Sequence, residues 1–124
     1  MHVSKAHNIA LLFNYSVLSG IFREELQTNR GLVLLLGCCH AGVVNTIEHA
    51  RKRTGVAEFY ALIGGTHLGF SDPGQLDATV KALRGYRVHK LCAGHCTGFA
   101  ASARLLKEFP GQFQPAHVGF FVEI

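Results

Sequence analysis

Three times in this chain a short apolar run stops at glycine and is followed within three residues by histidine: "LVLLLGCCHAG" at 32–42, "ALIGGTHLG" at 61–69 and "LCAGHCTG" at 91–98. A run such as 32–36 has strand length and no polar alternation, which suits a strand covered on both faces. Helical signals fall between the runs. Residues 45–53 read as a helix, with Val43, Val44, Ile47 and Ala50 on one stripe and Gly55 as a stop. "SDPGQLDATVKALRG" (71–85) has Ser71 or Asp72 to cap it, Pro73 in its first turn and Leu76, Val80 and Leu83 on one face. A third helix is expected over 99–108, stopped by "PG", and "HVGFFVEI" (117–124) reads as a closing strand. The order β-α-β-α-β-α-β predicts an α/β fold, a sheet with helices packed on it.

In such sheets the loops that leave the carboxyl ends of neighbouring strands lie side by side. His40, His67 and His95 are therefore expected to converge on one rim, with Cys38, Cys39 and Cys96 in reach of the same point. Neutral imidazole and thiolate are good ligands for zinc and also suit iron, and the flanking glycines let the backbone turn tightly. A single histidine beside a strand is more often a hydrogen-bonded structural residue; three at equivalent places favour a site. An anion at the same rim is a second possibility, because Gly42 and Gly98 precede helix starts and Asn45 and Thr97 add polar groups. His2, His7, His49, His89 and His117 lack this setting and read as structural or exposed.

Composition limits the alternatives. The chain has 124 residues, 48% of them hydrophobic and 16% charged, which fits one domain and not disorder. So apolar a unit is also what a domain missing a covering partner looks like. The net charge of +4 is scattered, and its densest cluster, Arg51 to Arg53, suits a helix carboxyl end, which argues against nucleic acid as a partner. No apolar stretch approaches the ~20 residues that span a bilayer, so no membrane segment is expected. Four cysteines, two of them adjacent and none behind a signal peptide, suggest reduced thiols and a cytoplasmic setting. Residues 1–30 are poorly readable: "NIALLFNYSVLSGIF" has no clean period, and "REELQTNRG" looks like a polar turn. The readable unit is 31–124.

With "GLVLLLGCCHAGVVNTIEHA", "ALIGGTHL" and "LCAGHCTG", the chain resembles the C-terminal half of a metallo-β-lactamase-fold hydrolase. It is most similar to the dihydropterin ribofuranosylaminobenzene phosphate synthase-like branch, where motifs like "GLVVITGCSHAGIVN", "IGGFHL" and "PxHCTG" follow in that order. The resemblance covers about residues 31–122. It implies half of a four-layered αββα sandwich, a mixed sheet with helices on it, and one or two metal ions, zinc or else iron or manganese, that activate water against a small-molecule substrate. It implies His95 as a metal ligand, Cys38 or His40 at the place of a metal-bridging aspartate, and His67 as a catalytic residue lining the cleft.

The branch's His-x-His-x-Asp-His motif is absent from these residues, and "MHVSKAH" lacks the aspartate and the spacing to replace it. The resemblance therefore implies a metal-dependent hydrolase represented by one half, weakly active or inactive alone, whose partner is a separate N-terminal half or a second copy in a homodimer. The rival expectation is a non-catalytic metal-binding or interaction module, a truncated or degraded copy in which the glycines only shape loops.

Overall fold

The computed structural model describes residues 10–13 and 23–123. His2, His7 and the "MHVSKAH" stretch lie outside the described residues. Six strands form one sheet in sequence order: β1 (Ala10–Phe13), β2 (Arg23–Thr28), β3 (Gly31–Leu36), β4 (Glu58–Gly65), β5 (Arg87–Gly94) and β6 (Phe113–Ala116). The first two pairings are antiparallel, and β3 through β6 run parallel. The parallel strands are joined by α1 (Val43–Thr54), α2 (Pro73–Gly85) and α3 (Phe99–Glu108). This is the expected mixed α/β sheet. No helix among the described residues is long and apolar enough to cross a membrane.

Strands that advance always in one direction, joined by crossovers of one hand, send their helices to a single face. The packing follows that rule: Ile47 and Ala50 of α1, Val80 and Leu83 of α2, and Ala101 and Leu105 of α3 bury themselves on Leu32, Leu34, Phe59, Leu62 and Leu91 of the sheet. The opposite face carries Val33, Tyr60, Ala61, Ile63 and Cys92, packed with Val122 and Phe120 from the segment after β6. A β-bulge interrupts the pairing of β3 with β4. Leu32 pairs with Phe59 but Val33 pairs with Ala61, so Tyr60 is the extra residue and lies on the same face as Ala61. Its ring is flanked by Arg30 and Lys90, each 5.4 Å from the centroid.

Two expectations need correction. "REELQT" forms β2, pairing along the whole length of β3, and only residues 29–30 turn. β2 is held by main-chain bonds to β1 on one side and β3 on the other, which any side chain permits, so its polar composition hid it. The closing strand is Phe113–Ala116, not 117–124. Pro115 is tolerated there because β6 is the last strand of the sheet, and proline is confined to such edges. Beyond it the chain turns at Gly119, whose φ of 84° ends any extended run.

The helix boundaries follow local chemistry. α1 starts two residues before the expected 45, with the Gly42 carbonyl accepting from the Thr46 N–H at 3.1 Å, and it ends at Gly55 in the left-handed region. α2 opens on a capping box: the Asp72 carboxylate accepts from the Gln75 N–H at 2.8 Å while the Gln75 side chain accepts from the Asp72 N–H at 3.3 Å. Asp72→Ala is expected to lower stability by about 1 kcal/mol, read as a shift in the denaturant midpoint at constant slope. An unchanged midpoint would show that the box contributes nothing.

The parallel register aligns the carboxyl ends. Leu36 stands beside Gly64, Gly65 beside Gly94, and Gly94 beside Ala116, so the loops after β3, β4 and β5 leave from one rim.

Candidate metal centre

Each of those three loops contains one residue that bends the wrong way for an L-amino acid. Cys39 (φ 57°), His67 (φ 59°) and His95 (φ 50°) are the non-glycine residues with left-handed backbone among those described. Such conformations cost about 1–3 kcal/mol each and persist where the surroundings demand them. Here they redirect the chain just past a strand end and decide which side chain faces the rim.

Cys38, His95 and Cys96 face it together. The Cys38 Sγ lies 3.1 Å from the His95 Nε2, and these two atoms and the Cys96 Sγ are all within 4.8 Å of one another. Cys38 comes from the end of β3 and the other two from the end of β5, with β4 between them. Neighbouring strands are about 4.8 Å apart, so these donors meet only by leaning over β4. Gly65 makes room. A Cβ there would stand 2.3 Å from the Gly37 oxygen, 2.9 Å from the Cys96 Sγ and 3.2 Å from the His95 Cδ2.

Backbone groups hold Cys96 in place. Its sulfur accepts from the His67 N–H at 3.1 Å and donates to the Cys38 carbonyl at 3.2 Å. Burial pushes this thiol above its ordinary pKa; the His67 N–H opposes the rise, and nearby Cys38 adds to it. A buried hydroxyl pair, Thr66 Oγ1 and Thr97 Oγ1 at 2.8 Å, ties the β4 and β5 loops together beneath the site. The Asn45 amide donates to the Ala41 carbonyl at 2.8 Å.

The three histidines do not meet as one group. His95 stands with the two cysteines, whereas the exposed His40 ring packs edge-on against His67 with centroids 4.7 Å apart. On its other side His67 stacks on Phe70, again at 4.7 Å. The His67 Nδ1 is buried without a hydrogen-bond partner. His40, His67 and Phe70, with Asn45, Gln75 and Thr79, line a cavity of about 530 Å³. His67, in its wall, is also the residue whose N–H donates to the Cys96 Sγ. Cys39 turns away, 1% exposed in the core, with its Sγ 3.4 Å from the Thr46 Oγ1. His49, His89 and His117 are exposed and lie apart from this group.

Sequence reasoning put Cys96 among the possible ligands but had no means of ranking it above His40. Thr66 and Phe70 were not singled out at all. The only signal for either was its place beside the "GGTHL" loop.

The donor chemistry fits a metal. Two sulfurs and one imidazole nitrogen form the soft set that zinc prefers, and three protein donors leave one position of a tetrahedron open. The arrangement can equally support thiol chemistry, since two sulfurs lie close together.

No family model matches the chain. Over 98 residues it is 38% identical to the 7,8-dihydropterin-6-methyl-4-(β-D-ribofuranosyl)-aminobenzene-5'-phosphate synthase of Methanocaldococcus jannaschii. That match takes in 79% of this chain and 33% of the relative, so the chain spans about a third of that protein's length. Its fold superposes on the crystal structure of Tm1679, a metal-dependent hydrolase of the β-lactamase superfamily, with a TM-score of 0.76 and 27% identity. The superposition covers 82% of this chain and 40% of the other. In sequence, therefore, the chain is similar to the dihydropterin ribofuranosylaminobenzene phosphate synthase-like branch, and in fold to the metallo-β-lactamase superfamily.

Proposed function

We propose that this chain supplies one side of a metal-dependent active site, with Cys38, His95 and Cys96 as the protein donors and zinc as the preferred ion. The observation that carries the reading is the convergence of one nitrogen and two sulfurs within 4.8 Å at the carboxyl rim of the sheet. A bound zinc ion would supply Lewis-acid polarisation of a carbonyl or phosphoryl group. The chain's own residues do the rest. His95 and Cys38 are held against each other, Cys96 is pinned by the His67 N–H, and the cavity walled by His40, His67 and Phe70 receives the small-molecule substrate beside the donors.

The reaction we favour is hydrolysis of a phosphate ester or carboxyl derivative, or processing of a pterin precursor. The solved neighbour is named a metal-dependent hydrolase and the sequence relative a synthase that makes a ribosyl phosphate compound. Full activity would require the His-x-His-x-Asp-His ligands absent from this sequence, brought by an N-terminal half or by a second copy. A closed, purely structural zinc site is the weaker alternative, because only three donors converge among the described residues and such sites use four.

The test is metal content of the purified chain under reducing conditions, with His95→Ala and Cys38→Ala alongside. The expected result is stoichiometric zinc in the parent chain, with affinity reduced at least about tenfold in either variant. Zinc retained in both variants, or no binding by the parent, would sink the assignment.

A further inference from the structure

We propose that Cys38 and Cys96 form a reversible disulfide with each other when the site holds no metal, making the donor group a thiol-exchange site as well. The specificity is geometric. Of the four thiols, Cys38 and Cys96 are partly accessible, whereas Cys39 and Cys92 are each 1% exposed and lie on opposite faces of the sheet. The Cys38 and Cys96 sulfurs are already within 4.8 Å, with no side chain on Gly65 to separate them. Closing that gap takes a shift of about 3 Å to reach the sulfur–sulfur bond length near 2 Å. The neighbouring Cys38 and Cys39 cannot substitute for this pair, because the Cys39 sulfur points into the core toward Thr46.

The co-reactant is a small-molecule disulfide such as oxidised glutathione. The Cys38 sulfur attacks one sulfur of the reagent, its S–S bond breaks, and one glutathione leaves as the thiol carrying the Cys38 proton. The Cys96 sulfur then attacks the Cys38 sulfur, the mixed S–S bond breaks, and the second glutathione leaves carrying the Cys96 proton. Two protein thiols are oxidised and one glutathione disulfide is reduced to two thiols. The product has lost both thiolates, so it cannot hold the metal in the way proposed above. Conversely, a bound metal shields both sulfurs. That protective role rests on the metal reading; the disulfide itself does not.

The experiment uses the whole chain stripped with chelator, incubated with oxidised glutathione, digested without reduction and mapped by mass spectrometry. The expected product is a Cys38–Cys96 peptide pair, with the intact chain lighter by two hydrogens. In Cys96→Ser, glutathione should instead remain attached at Cys38. A parent chain that keeps glutathione on Cys38, or that links through Cys39 or Cys92, overturns the proposal. The same incubation after zinc loading should slow the cross-link about tenfold when zinc exceeds its Kd tenfold. A cross-link formed just as fast with zinc demonstrably bound would leave the disulfide standing and place the metal elsewhere. Zinc that binds and is lost in His95→Ala, with no cross-link in the stripped parent, would do the reverse.

Discussion

Gly65→Ala is expected to weaken metal binding at least about tenfold and to destabilise the fold by about 1–3 kcal/mol. The added methyl would stand 2.3 Å from the Gly37 oxygen, the same carbonyl that accepts the Gly65 N–H at 2.9 Å. A backbone carbonyl cannot swing aside as a flexible side chain can, so the loop carrying Cys38 must lift. The Cys96 sulfur, 2.9 Å from the new carbon, is displaced from the other side. The donors are thus pushed apart without any of them being altered. Gly85→Ala is the matching control, since nothing beyond its chain neighbours and its own helix backbone lies within 4 Å of the added carbon and its backbone is not in the left-handed region. In α2 that change should be neutral or stabilising by up to about 1 kcal/mol. Denaturant midpoints and zinc competition titrations of both variants decide the matter. Undiminished zinc affinity in Gly65→Ala would mean that the open space over β4 does not set the site's geometry.

That dependence on one missing side chain explains which parts of the centre were legible in the sequence. The runs at β3, β4 and β5 announce strands because each is apolar on both faces, and the glycine and histidine after them mark the rim. Asp72, Pro73 and Gln75 announce α2 through their own bonding chemistry. The pairing of side chains across the rim is not announced. Strand alternation stops at Gly37, and the direction of Cys38, Cys39 and His40 is then set by a single left-handed residue, Cys39. From the sequence alone Cys38 and His40 compete for one ligand place, with Cys39 in reach of the same point. In the fold one faces the donors, one enters the core and one joins His67. The Tyr60 bulge was invisible for a related reason. An extra residue in a strand changes which face its neighbours occupy but not their hydrophobicity.

Phe59→Ala should lower stability by about 3–5 kcal/mol, a large part of a typical domain's total, yet leave the metal affinity of the folded chain within about twofold. Phe59 is fully buried, in register with Leu32 and Val88, and meets the Tyr86 ring edge-on at 6.5 Å. It sits near the amino end of β4, six residues before Gly65, and at about 3.3 Å per residue that is some 20 Å from the donors. The loss is a core cavity shared by the sheet and the helical layer, and it does not reach the rim loops. Zinc that binds only the native chain adds the same stabilisation to parent and variant, because that increment depends only on zinc concentration and its Kd. The measurement is the denaturant midpoint of each protein with and without zinc. Phe59→Leu, with a smaller loss, serves as the readout if the alanine variant does not fold. Equal zinc increments on unequal baselines would show that core and centre are energetically separate. An increment that vanishes with Phe59 would mean that the helical layer itself presses the three donors together.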